Sequence, residues 1–213
     1  MQIVSIVKDS FIECAPFNWG ISLFCYGCNL TCSMCKGYNY ETITNKNNII
    51  GTATDLIKKN VNPCHDCVIF IGGEPTIWSD GLREALQYCH SIGLKTKIFS
   101  NGILYKDIEK INAEGLCDAW SIDFKGLSNL ENEIGFPTEA YLSCFEHSIK
   151  SINKYRLPLE IRTTFYEGNL RDCDNIVRYV MTKYINPRLS EIPEIYTKYF
   201  KQDDIREMLP LSA

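Results

Sequence analysis

The sequence predicts an α/β fold: a partial (βα)6 TIM-type barrel with parallel strands. Three observations point there. Short apolar or β-branched runs alternate with longer stretches whose apolar residues recur at helical spacing. Five such pairs follow one another, and serial βα units imply a parallel sheet with right-handed crossovers. The chain has 213 residues, which leaves room for six units but not for the eight of a closed barrel. An open, doubly wound sheet is the alternative by pattern alone.

The elements come in order. Residues 20–25 read as a first strand, and the stretch 53–59 as a helix. Residues 68–71, Val-Ile-Phe-Ile, are wholly apolar, as a buried parallel strand requires. Leu82, Ala85, Leu86, Cys89 and Ile92 then recur on one helical face. A strand over 95–99 and a helix over 104–113 follow, then a strand over 119–123. The helix over 139–154 carries Tyr141, Phe145, Ile149 and Ile152 on one side. A fifth strand is expected over 159–165 and a fifth helix over 170–184; residues 188–192 are the candidate sixth strand. No repeat, low-complexity tract or linker interrupts the series, so one domain is expected over 1–213.

Composition bounds the function. Hydrophobic residues make up 45% and charged residues 23%, an ordinary globular balance. A net charge of −4 asks for neither nucleic acid nor an anionic membrane as partner. No run of about 18 apolar residues exists, so no spanning helix is expected. The start lacks a basic region followed by an apolar block, which predicts a cytoplasmic setting with reduced thiols. Eleven cysteines at uneven spacing argue against a disulfide framework and toward metal binding or chemistry.

Three of them, Cys28, Cys32 and Cys35, form C-x3-C-x2-C directly after the first strand. Such spacing lets one loop wrap its thiolates around a soft metal centre. Three ligands are one short of the four that a cubane cluster usually takes, and the open position suits catalysis. Three buried core cysteines, or a zinc knuckle with a distant fourth ligand, are the alternatives.

Four further loops sit at strand ends, where barrel enzymes build their sites. Gly72-Gly73-Glu74-Pro75 follows the second strand; its glycines permit close backbone approach, and Glu74 can accept from an ammonium. Ser100-Asn101-Gly102 follows the third and offers donors and acceptors to a ribose or carboxylate. Alternation puts Asp123 and Lys125 on one face after the fourth, either toward a ligand carboxylate or as a rim ion pair. Arg162, on the fifth strand among apolar neighbours, is expected to be buried and to need an anionic partner. That partner is a ligand, or else Glu160 or Asp123.

The set of motifs resembles the radical S-adenosylmethionine (SAM) superfamily. The resemblance implies a [4Fe–4S] cluster on Cys28, Cys32 and Cys35, with S-adenosyl-L-methionine chelating the remaining iron. It implies Met34 packed near the adenine and Lys36 beside it. Gly72, Gly73 and Glu74 would receive the amino group of SAM, while Ser100, Asn101, Asp123, Lys125 and Arg162 complete the cofactor-binding set. Over about 17–168 the chain is most similar to the small glycyl radical enzyme activases, especially those of anaerobic (class III) ribonucleotide reductase. Asp-x-Lys after the fourth strand is the cue, and no cysteine-rich insertion separates the first cysteine loop from the second strand. The implied partners are a glycyl radical enzyme and flavodoxin or ferredoxin as electron donor.

The chain departs from that pattern where Phe99 stands in place of an Asp before Ser100, and where Lys36-Gly37 follows the third cysteine. A radical SAM enzyme acting on a small molecule, similar to the deazaguanine-forming enzymes, is the nearest rival. Those would show Ser-Pro-Lys at Asp123-Phe124-Lys125. Cys64-His65-Asp66-Cys67 raises a different possibility: a zinc or second-cluster site joined by Cys14 or Cys25 in an electron-transfer module.

Overall fold

The computed structural model describes residues 1–11, 13–36, 40–165 and 169–185. Two compact units separate, 1–164 and 165–213, and each is described by itself.

The first unit begins with β1 (Gln2–Ser10), a strand the sequence reading did not anticipate. It pairs antiparallel with β2 (Gly20–Cys25), and its first residues pair with the two-residue β3 (Gly51–Thr52). Between β2 and β3 lie two short helices, α1 (Ser33–Lys36) and α2 (Tyr40–Thr44). Helix α3 (Ala53–Asn60) then leads to β4 (Cys67–Gly72), and α4 (Ser79–Ser91) to β5 (Lys95–Ser100). Next come α5 (Tyr105–Ala113) and β6 (Ala119–Asp123). Helices α6 (Leu130–Glu133) and α7 (Thr138–Lys154) precede β7 (Leu159–Arg162).

The sheet order is β3-β1-β2-β4-β5-β6-β7, and β2 through β7 in that order are parallel. The parallel strands never reverse direction of addition. Right-handed crossovers then put every connecting helix on the same face. A doubly wound sheet needs a reversal point, so this is the partial barrel expected, with an antiparallel edge added. The register fits curvature as well: Ala119 faces Lys97 rather than Lys95, and Leu159 faces Trp120. Strands β2, β4 and β5 start level, whereas β6 and β7 each start further up than the strand before, the stagger that closing a sheet requires.

Alternation divides the sheet residues into two layers. Trp120 faces the helices, where its indole N–H donates to Asn112 Oδ1 of α5 at 2.8 Å. Ile108 and Ile111 of α5 and Tyr141, Phe145, Ile149 and Ile152 of α7 are buried in the same layer. On the concave side Cys14, Cys67, Ile69 and Phe99 form a second buried cluster. Cys89 and Cys117 are core residues as expected, whereas Cys144 and Cys173 are only half-buried.

The second unit holds a 3-10 turn (Leu170–Asp172), α8 (Cys173–Val180) and a π-helical turn (Met181–Ile185). The single helix expected over 170–184 is thus three pieces. The expected sixth strand, 188–192, lies outside the described residues.

Candidate active site

A cavity of about 410 Å³ opens at the carboxy-terminal ends of the parallel strands. Cys28, Met34 and Cys35 line it together with Cys32, which is buried. Gly72, Gly73, Glu74, Ser100, Asn101, Asp123, Lys125 and Arg162 complete its polar wall. The structure therefore gathers loops spread over more than a hundred residues of sequence. The side chain of Lys36 lies outside the described residues.

The cysteine loop is held on three sides. Gly27 N–H donates to Ile43 O at 2.6 Å, Thr31 N–H to Ile134 O at 3.1 Å, and Ser33 Oγ to Glu133 Oε2 at 2.6 Å. Gly73 N–H reaches Cys25 O at 3.1 Å and Glu74 N–H reaches Gly27 O at 2.8 Å. The two glycines have a steric reason to be there. A Cβ on Gly73 would overlap the Gly27 carbonyl, and one on Gly72, at φ +101°, would lie 2.7 Å from Cys25 N.

Glu74 is buried, and both its carboxylate oxygens are engaged within the protein. Oε1 accepts from Thr76 N at 3.1 Å and Thr76 Oγ1 at 2.7 Å; Oε2 accepts from Asn101 N at 2.7 Å. Burial pushes its pKa up, against the opposing pull of these donors. Asn101 in turn donates to Asn29 Oδ1 at 2.7 Å. Glu74 and Asn101 thereby tie the ends of β4 and β5 to the cysteine loop.

Asp123 and Lys125 pair with each other at 2.8 Å, the rim ion pair among the sequence alternatives. Tyr141 locks the turn: its hydroxyl accepts from Lys125 N and donates to Asp123 O, both at 2.8 Å. Burial alone would lower the Lys125 pKa, but Asp123 and the thiols of Cys32 and Cys28 hold it above its ordinary value. Arg162 is a correction. It is exposed, not buried, and it pairs with neither Glu160 nor Asp123. Its guanidinium lies over the Phe99 ring, 4.9 Å from the centroid. Strand β7 is a sheet edge among the described residues, and the face that carries Glu160 and Arg162 is its exposed one.

All three thiols are shifted upward, Cys28 to about 12, with burial the largest cause in each case. Among the described residues no three His, Cys, Asp or Glu side chains converge closely enough to hold a single metal ion. That covers the zinc alternative at Cys64 and Cys67 as well, where one thiol is exposed and the other buried. Asp66, inside that motif, accepts instead from the backbone of Asn18 and Trp19 at 3.0 Å.

A family model for the radical SAM superfamily matches residues 22–180. The chain belongs to the radical SAM superfamily. Members of this superfamily use a [4Fe–4S] cluster together with SAM. The cavity fits such a pair. Three thiols of one loop line it as soft donors for iron, and the ammonium of Lys125 stands in the same wall for an anionic ligand. Two proteins of Methanocaldococcus jannaschii, provisionally named glycyl-radical enzyme activating enzymes, are similar to this radical SAM chain. One is 29% identical over 124 residues, 58% of this chain and 50% of its own length. The other is 26% identical over 196 residues, 86% of this chain and 69% of its own length. The chain thus spans half of the first relative. Among solved structures, native anSMEcpe with bound AdoMet and a peptide matches 86% of this chain and 56% of its own, at TM-score 0.55 and 17% identity. A tagged form with bound AdoMet matches 75% and 45%, at TM-score 0.51 and 18% identity. At these identities the likeness is one of fold.

Several cavity residues went unnoticed in the sequence: Phe24, Ile43, Ile71 and Phe99 supply apolar wall, and Thr42 and Thr164 polar rim. Phe24, Ile71 and Phe99 sit at or next to the last positions of strands, a signal that was available. Thr42 and Ile43 come from α2, and no local motif marks them.

Proposed function

We propose that this chain is a glycyl radical enzyme activase that acts on anaerobic ribonucleotide reductase. The observation that supports it most is the shared cavity: three thiols, an Asp-Lys pair and an exposed Arg stacked on Phe99 at the ends of parallel strands. The two archaeal relatives support the subtype by their names. The match over 22–180 runs through both compact units, which supports reading 1–213 as one radical SAM domain.

In this reading Cys28, Cys32 and Cys35 hold three irons of the cluster and leave one open for SAM. Their thiols are protonated without metal, so loading displaces protons. Gly72 and Gly73 expose backbone to the amino group, while Glu74 holds the loop that does so. Lys125 and Arg162 receive the carboxylate, Ser100 and Asn101 face the ribose, and Met34 packs on the adenine. When bound, cluster and SAM supply a 5′-deoxyadenosyl radical able to remove a hydrogen atom from a glycine Cα. The apolar wall of Phe24, Ile43, Ile71 and Phe99 keeps water from that radical. Flavodoxin or ferredoxin is the proposed electron donor.

The test is isotopic. Loaded, reduced enzyme is mixed with SAM and an anaerobic ribonucleotide reductase carrying Cα-deuterated glycine. The reading expects deuterium in 5′-deoxyadenosine and a glycyl radical signal on the reductase. Deoxyadenosine without deuterium would move the assignment to a small-molecule substrate.

A further inference from the structure

Lys97 is the one strand lysine buried on the concave face of the sheet among the described residues: its side chain is 1% exposed. Its ammonium donates to Ala15 O at 2.7 Å and to Glu160 Oε2 at 3.0 Å. To reach Glu160 on β7 from β5 it must cross β6, whose residues facing the concave side there are the small Ala119 and Ser121. The same ammonium lies 4.8 Å from the centroid of Phe99, two residues along β5. Arg162 lies over that ring too, at 4.9 Å. Two cations share one ring, and Glu160 neutralises only the inner one.

We propose that Lys97 and Phe99 are positioning residues for Arg162: the buried ammonium fixes the ring, and the ring holds the guanidinium on the cavity wall, ready for a carboxylate. The proposal rests on the assignment of Arg162 to the SAM carboxylate. Its physical basis is that a planar guanidinium stacks on an aromatic face while its N–H edge stays free for an anion. An exposed Arg otherwise has many rotamers to lose on binding.

Two measurements test it. The first needs no metal. In the metal-free protein the Nε–H proton of Arg162 is expected upfield, shifted by the Phe99 ring current. It should return to an ordinary shift in Phe99→Leu and move partway in Lys97→Met. Lys97→Met keeps length and takes a donor from Glu160, whose side chain is 51% exposed, and from the carbonyl of the exposed Ala15, so the fold is expected to survive. No upfield shift in the wild type would overturn the proposal whatever the enzyme does. The second is SAM affinity of the cluster-loaded protein by equilibrium dialysis. Phe99→Leu is expected to weaken it about 3- to 10-fold, and to have no further effect once Arg162→Gln is present. Additive losses in the double variant would mean that Phe99 acts independently of Arg162, and would sink the proposal. Failure of the functional reading looks different: wild-type protein with a full cluster would then bind no SAM at all, while the NMR shift would still be seen.

Discussion

At the amino-terminal end of the parallel strands, Asp118 accepts from Lys95 Nζ at 2.9 Å, from Thr96 N at 2.9 Å, and lies 2.8 Å from His90 Nε2. Asp66 is bound there to Asn18 and Trp19, and Lys97 to Ala15 O. At the carboxy-terminal end the thiols of Cys28 and Cys35, the Asp123–Lys125 pair and Arg162 face open cavity. The same residue types close one end of the sheet and leave the other reactive. The difference lies in what each polar group has been given as a partner. Glu74 belongs, by this criterion, with the closed end. It sits in the cavity wall, yet its oxygens are spent on Thr76 and Asn101.

The comparison can be broken most sharply at the thiols. Replacing any one of Cys28, Cys32 or Cys35 by Ala should drop bound iron from about four per chain to background, without lowering the melting temperature of the metal-free protein. A large loss of metal-free stability would instead make the cysteine loop a structural element. Next in size is Gly73→Ala, which should cost about 1–3 kcal/mol in urea unfolding through overlap with the Gly27 carbonyl. It should also displace the cysteine loop, so cluster loading falls with it. Glu74→Gln should cost about 1–2 kcal/mol, since one donor among Thr76 and Asn101 loses its acceptor. If Glu74 instead served the ligand alone, stability would be unchanged and only SAM affinity would fall.

The smallest effect is expected at the closed end. Asp118→Asn should cost about 1 kcal/mol and leave iron content and deoxyadenosine formation as in the wild type. Its pH dependence has a definite sign. Burial would raise the Asp118 pKa, but Lys95, His90 and Thr96 outweigh it and hold the carboxyl below its ordinary value. The stabilisation is complete above the ordinary carboxylate range and is lost as pH falls through the lowered pKa. The gap between wild type and variant should therefore narrow below about pH 4 in thermal melts.

Much of this was legible before the fold was known. The parallel strands announce themselves because burial on both faces demands apolar runs such as Val68 to Ile71. The chemistry-bearing loops follow those strands directly, so finding one locates the other. Strand β1 was missed because it sits near the edge and leaves Val7, Lys8 and Asp9 exposed. The role of Glu74 was hidden for a different reason. Its partner Asn101 lies 27 residues away and meets it only once β4 and β5 are side by side. Arg162 was misjudged, and the burial of Lys97 went unread. Arg162 has apolar sequence neighbours but lies on an edge strand, whereas Lys97, with lysine two residues before it, points into the concave core.

The most direct test of the account is production of 5′-deoxyadenosine. Anaerobically reconstituted protein, reduced with dithionite and given SAM, is analysed by mass spectrometry beside Cys32→Ala and Asp118→Asn. The account predicts deoxyadenosine from the wild type and from Asp118→Asn, and none from Cys32→Ala. Wild-type protein with a full cluster and no deoxyadenosine would contradict it, because the open end of the sheet would then hold metal without using it.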